Sequence, residues 1–182
     1  MKNVAIVIGH YPFEKGAISK HFNMTEFEFW SNLVAVSGLA KDYEIFTHEI
    51  LSGYPARQRA MGAKTKDYDL VIELHFNASN GVGNGVEAVY NTKNERMKKL
   101  AVKFMESICE NTGIKKRYPL GRDIMDSNQR GTGFLRYTKG DSIILEPFFG
   151  DNKSDCLKFE KLGAKGFKTI IDELVDYYFS WV

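Results

Sequence analysis

Cysteine is nearly absent from this chain. The two present among 182 residues, Cys109 and Cys156, lie too far apart in sequence for a disulfide scaffold and read as independent reduced thiols. No apolar run approaches the roughly 18 residues of a membrane helix; runs such as Val4–Ile8 are strand-sized. Excess charge of one sign is missing too. The 25 Lys and Arg against 23 Asp and Glu leave a net +2, no broad footprint for nucleic acid. There is no Gly-x-Ser-x-Gly elbow, no Walker loop and no Pro/Gly/Ser-rich linker or repeat. Gly81, Gly83 and Gly85 precede a strand instead of a helix, so they make no dinucleotide fingerprint. His48 has no second histidine four residues on, which excludes the zincin pattern.

What is present is apolar and aromatic: 43% hydrophobic and 13% aromatic residues exclude intrinsic disorder. A chain of this length makes one domain, residues 1–182, able to bury about 70% of its unfolded surface. The N-terminus carries one positive charge before an apolar stretch shorter than a signal-peptide core. The expectation is synthesis in a cytoplasm without a signal peptide.

Strand and helix alternate along the chain. Val4–Ile8 reads as a strand buried on both faces. Thr25 caps a helix to about Lys41, with Phe29, Leu33, Val36 and Leu39/Ala40 as its apolar stripe. Tyr43–Thr47, Asp69–Phe76, Val86–Asn91, Gly133–Tyr137 and Ser142–Glu146 read as strands. Tyr54–Lys66, Asn94–Thr112 and about Asp155–Phe179 read as helices, and Ile114–Thr132 as a long functional connection. The expected fold is α/β: a single domain with a twisted, mostly parallel or mixed central sheet of about six strands and helices on both faces.

Polar residues fall at the strand ends, where such sheets bind ligands. His10 follows the first strand, His75 ends the strongest one, Glu146 ends an apolar run, and Glu26 opens the first long helix. Two imidazoles and a carboxylate with one position open form a catalytic zinc set, and a further carboxylate serves as general base. Glu73, two residues before His75, is a carboxylate in an apolar strand and needs a partner. Three roles stay open for it: orienting His75 from behind, replacing Glu26 as ligand, or pairing with a buried arginine; the first and last are favoured. His21 reads as a solvated loop residue, and Cys109 as core.

Several segments together resemble the zinc-dependent N-acetylmuramoyl-L-alanine amidases of the amidase-3 type, over about residues 4 to 178. They are Ile8-Gly9-His10 with Gly16-Ala17, Thr25-Glu26-Phe27-Glu28-Phe29, Leu74-His75-Phe76-Asn77-Ala78, Gly85-Val86-Glu87, and Arg130-Gly131 through Phe134-Leu135-Arg136 to Ile144-Leu145-Glu146-Pro147. The resemblance implies one Zn2+ per chain on His10, Glu26 and His75, Glu146 as the catalytic carboxylate, and cleavage of the bond between N-acetylmuramic acid and L-alanine in peptidoglycan. Arg136 or a backbone amide near Asn77 is the expected helper at the oxyanion, a reading of this chain and not of the family.

The chain departs from the family at Tyr11-Pro12, where a Gly-Gly is usual, and at Glu73, where a small polar residue is usual. Glu28, about 200° around the helix from Glu26, leaves the ligand choice open. A phage lysin that reaches the wall through a holin pore is the expected setting, with no nucleic acid and no stable membrane insertion. Lys115, Lys116, Arg117 and Arg122 form a basic cluster that meets stem-peptide carboxylates or stays solvated. Two other readings stay open: a zinc peptidase acting on a stem-peptide or other poly-amide bond, and a non-catalytic wall-binding or phage structural module.

Overall fold

A computed structural model describes residues 2–124 and 131–181. In chain order the elements are β1 (Val4–Ile8), β2 (Ile18–Ser19), β3 (Met24–Thr25), α1 (Glu26–Ser37), α2 (Leu39–Asp42), β4 (Glu44–Thr47) and α3 (Tyr54–Lys64). There follow β5 (Leu70–Leu74), β6 (Glu87–Asn91), α4 (Glu95–Thr112), β7 (Arg122–Ile124), α5 (Thr132–Tyr137), β8 (Asp141–Glu146) and α6 (Lys153–Phe179). Six strands form one sheet in the order β4-β1-β5-β8-β6-β7, with β2 and β3 paired separately. All neighbours in the large sheet run parallel except β6 and β8.

Alternation along the strands builds two cores. Ile6, Ile72 and Ile143 pack with Trp30, Phe104 and Phe167 from α1, α4 and α6. On the other face Ala5, Val7, Val71 and Ile144 meet Met61 of α3 and Phe134 and Leu135 of α5. Helices on both faces explain why β1 and β5 are apolar runs without polar alternation, apart from Glu73.

Helix α1 begins at a capping box: the Thr25 side chain accepts from the Glu28 amide, and the Glu28 carboxylate accepts from the Thr25 amide at 3.0 Å. It ends at Gly38, whose φ of 89° few other residues adopt.

Three expectations are corrected. Gly133–Tyr137 is helical, lying within α5, because so short an apolar segment carries no decisive period. Its glycines decide the packing: a Cβ on Gly133 would meet the Tyr54 ring, and one on Gly62 would meet the Tyr137 carbonyl, so α5 and α3 touch closely. Val36 is exposed; the buried stripe of α1 runs through Phe29, Trp30, Leu33 and Val34 instead. The Ile114–Thr132 connection contributes the edge strand β7, which pairs with β6. Residues 125–130 of that connection lie outside the described residues, and Arg130 is among them.

Beyond β8 the chain enters an aromatic nest. Phe148 stacks on Phe159 at 4.5 Å between centroids and touches Phe29 and Phe76 at 5.4 and 5.5 Å. Truncating Phe148 to alanine is expected to lower unfolding stability by about 3–5 kcal/mol in a urea titration. Phe13→Ala, at a residue 77% exposed, should stay within about 0.5 kcal/mol of the parent.

Candidate metal centre

The sheet order places a switch point between β1 and β5. The chain leaves β1 toward β4 on one side, then crosses back to β5 on the other. Ligand sites form at the carboxyl ends of strands at such a point. His10 lies just after β1 and His75 just after β5, while Glu26 is the first residue of α1. The Glu26 carboxylate is buried between them, with Oε1 2.8 Å from His75 Nδ1 and Oε2 3.1 Å from His10 Nε2. The backbone amides of Phe76 and Ala17 donate to the same two oxygens at 3.0 and 3.4 Å. Burial pushes this carboxyl up, but the two imidazoles outweigh it and hold it at about 2.

Backbone geometry makes room for these rings. A Cβ on Gly9 would collide with the His75 ring. One on Gly16, whose φ is +80°, would come within 2.6 Å of the His10 ring and 2.7 Å of Glu26 Oε2. His10 itself holds a φ of 63°, sparsely populated for a residue with a side chain. Glu28 is occupied elsewhere, in the capping box and in an ion pair with Lys15 at 2.7 Å. Of the two carboxylates in the first turn, the structure brings Glu26 to the histidines.

Behind His75 sits Glu73. Its Oε2 is 3.3 Å from His75 Nε2 and its Oε1 is 2.7 Å from Nε2 of His48. Of the partners open to Glu73, the structure pairs it with imidazoles and with no arginine among the described residues. Burial raises the Glu73 carboxyl, and the charge of His75 with the hydrogen bond to His48 lowers it to about 2. For His75 burial works downward, while Glu73 and Glu26 raise its pKa well above the usual histidine range.

His48 carries no motif in the sequence, and its signal is position: like His75, it directly follows a strand, here β4.

Glu146 ends β8 opposite Glu87 in the antiparallel pair. Glu87 is buried, ion-paired with Arg122 at 2.5 Å and Arg117 at 3.2 Å, and accepts from the Asn77 side-chain amide at 3.1 Å. Among the described residues Glu146 has no such partners, and its Oε2 is buried without a hydrogen bond. Burial and the charge of Glu87 push its carboxyl up to about 7, against the opposing pull of His75 and Arg122. The His75 amide donates to the Leu145 carbonyl at 3.0 Å, which ties the ends of β5 and β8 together.

The remaining candidates scatter. Asn77 stands beside the centre, but its own amide donates to the Phe148 carbonyl at 3.0 Å and the Ala78 amide to Asn77 Oδ1 at 3.1 Å, so neither amide is free for an oxyanion. Arg136 is exposed on α5 and lines a cavity with Asn91, Lys139 and Asp141, at the end of β8 away from Glu146. The structure does not bring it to the other site residues. His21 pairs with Glu160 at 3.1 Å. Of the basic cluster, Arg117 and Arg122 converge on Glu87, Lys116 pairs with Glu106 at 2.9 Å, and Lys115 is exposed. Both cysteines are free, as expected; Cys156 is buried and Cys109 partly so.

His10, Glu26 and His75 each offer a ligand atom within 4.8 Å of the others. A tetrahedral zinc with bonds of about 2.0–2.1 Å spaces its ligands roughly 3.3 Å apart, so the donors suit such a cation with small adjustments. Two imidazoles and one carboxylate leave a coordination position open, the arrangement of a catalytic site and not a closed structural one.

Comparison with known proteins gives a consistent picture. The family model described as N-acetylmuramoyl-L-alanine amidase matches residues 4–165. No curated protein sequence matches the chain. Among solved structures, Cwp6 from Clostridium difficile is 25% identical with a TM-score of 0.72, over 96% of this chain and 28% of that one. The chain thus spans little more than a quarter of that protein's length. The catalytic domain of an endolysin targeting Clostridia difficile is 23% identical with a TM-score of 0.70, covering 96% and 97% of the two chains. The catalytic domain of the amidase CwlV from Bacillus (Paenibacillus) polymyxa is 18% identical with a TM-score of 0.71, covering 98% of each. The last two likenesses bear on the fold alone.

The unpartnered Glu146 carboxyl has a measurable signature. Its folded value of about 7 lies above the ordinary 4.5, so the stability it contributes is full below about pH 4.5 and is lost as pH rises through about 7. Glu26 and Glu73, held at about 2, act oppositely and in a lower window, below 4.5. In thermal unfolding of the metal-free protein, Tm is expected to fall from about pH 5 to 7.5 more steeply in the parent than in Glu146→Gln. Equal slopes would remove the perturbed carboxyl.

Proposed function

The chain belongs to the N-acetylmuramoyl-L-alanine amidase family, and we propose that it hydrolyses the amide between N-acetylmuramic acid and L-alanine of peptidoglycan using a zinc ion held by His10, Glu26 and His75. The observation that carries this reading is the convergence of those three side chains next to a buried carboxylate with an unpaired oxygen. Zinc bound there supplies Lewis acidity toward an amide carbonyl and toward water.

Glu146 moves the proton. Its carboxylate, which burial and the charge of Glu87 make more basic than usual, accepts a proton from the attacking water and returns it to the amide nitrogen as the C–N bond breaks. The water oxygen ends on the lactyl carbonyl carbon, and the alanine leaves as a free amine. Glu26 stays an anion throughout, because two imidazoles and two amides stabilise its charge. Asn77 and Glu87 brace the wall of the site beside Glu146, and Arg117 and Arg122 are the cations we assign to the stem peptide's carboxylates.

A phage lysin that reaches the wall through a holin pore is the setting we favour. No helix among the described residues is long and apolar enough to cross a membrane.

Incubating the zinc-loaded protein with insoluble peptidoglycan should release alanine amino groups without new reducing sugars, and a chelator should stop the release. Glu146→Gln is expected to keep its zinc and lose about 10²–10⁴-fold in rate. New amines inside the stem peptide would point to a peptidase instead. Sedimentation with the wall and no new chain ends would point to a binding module. For the lysin setting, lysis should require a co-expressed holin; lysis by the chain alone would overturn it.

A further inference from the structure

We propose that His48 and Glu73 are positioning residues that hold His75 in the tautomer and ring angle needed to bind the metal; this rests on the assignment of His75 as a ligand. The strand registers place the three groups. Ile8 pairs with Thr47 on β4 and with Leu74 on β5, so the next row across the three strands runs His48, Gly9, His75. The middle member has no side chain, and a Cβ there would collide with the His75 ring. The gap lets both imidazoles turn toward Glu73, which lies two rows back, on the same face, with Val7 and Ile144 as its neighbours in the sheet.

Glu73 thus bridges the two rings, 2.7 Å from His48 Nε2 and 3.3 Å from His75 Nε2. The other nitrogen of His75, Nδ1, faces Glu26 at 2.8 Å, on the side where His10 also points. Only an imidazole protonated at Nε2 presents a lone pair at Nδ1 to a cation, and the Glu73 carboxylate 3.3 Å away favours the proton on Nε2. His48 donates to the second oxygen of Glu73 and so fixes the carboxylate against rotation.

A purely structural pair would satisfy every buried polar atom, yet Nδ1 of His48 is buried without a partner among the described residues. An apolar pair of similar volume would fill this place in the sheet without leaving an orphaned atom. The retained polarity is accounted for by what it does to His75.

The test measures zinc affinity by chelator competition and the visible spectrum of the cobalt-substituted protein, alongside Tm of the metal-free form. Glu73→Gln and His48→Phe should each weaken zinc binding about 10–100-fold and alter the cobalt spectrum. His48→Gln keeps an N–H donor and should restore most of the affinity. Lower Tm with parental zinc affinity and cobalt spectrum in both Glu73→Gln and His48→Phe would make the pair structural only and overturn the proposal. Should His48→Phe fail to fold, Glu73→Gln against His48→Gln decides: equal, parental affinities overturn it, while a deficit confined to Glu73→Gln supports it. His75→Ala separates the two levels. Parental zinc affinity there would sink the metal centre itself, whereas lost binding there with unchanged affinity in Glu73→Gln and His48→Phe would sink only the positioning role.

Discussion

One carboxylate joins the three parts of the chain that make the site. Glu26 opens α1, yet its two oxygens reach the segment after β1 through His10, the segment after β5 through His75, and two backbone amides at Phe76 and Ala17. A buried carboxylate is costly unless its charge is answered, and here four groups answer it. The capping box sets the phase of α1 so that Glu26 faces inward while Glu28 is spent on the helix end. Gly9 and Gly16 keep the surrounding backbone clear of the rings. Moving any of these would leave the carboxylate buried with fewer partners.

The same end of the sheet carries three more glutamates, Glu73, Glu87 and Glu146, and they differ in how their charge is answered. Glu73 is bridged by two imidazoles, and Glu87 by two guanidiniums and an amide. Of these three, Glu146 is the one with a buried oxygen that has no partner among the described residues, and it is the one pushed up toward neutrality. A carboxylate whose charge is answered holds a geometry; one whose charge is not answered is ready to exchange a proton. Antiparallel pairing of β6 with β8 creates the contrast, since it sets Glu87 beside Glu146 in a single row.

Much of this was legible beforehand because strand-end chemistry follows from simple rules. A continuous apolar run marks a buried parallel strand, and polar residues at its carboxyl end mark a site, which is how His10, His75 and Glu146 stood out. The failures have physical causes too. Gly133–Tyr137 was misread because five residues fit either period, and close packing of α5 on α3 decided for the helix. Arg136 fell with that misreading, since in α5 it lies at the far end of β8. His48 was set aside for lacking a motif, although no motif spans two neighbouring strands and a glycine between them.

The local alphabet of this protein was written in its residues: a six-stranded α/β layering, the cap at Thr25, and the residue types of a two-histidine, one-carboxylate centre. Hydrophobic period and backbone preference act over a few residues, so one chain suffices to read them. Which groups pair was decided by the tertiary structure alone. The strand order set His48 and His75 on either side of Gly9, and the antiparallel turn of β6 set Glu87 against Glu146. Pairings of that kind join residues tens of positions apart, and they exist only once the sheet has brought the strands together.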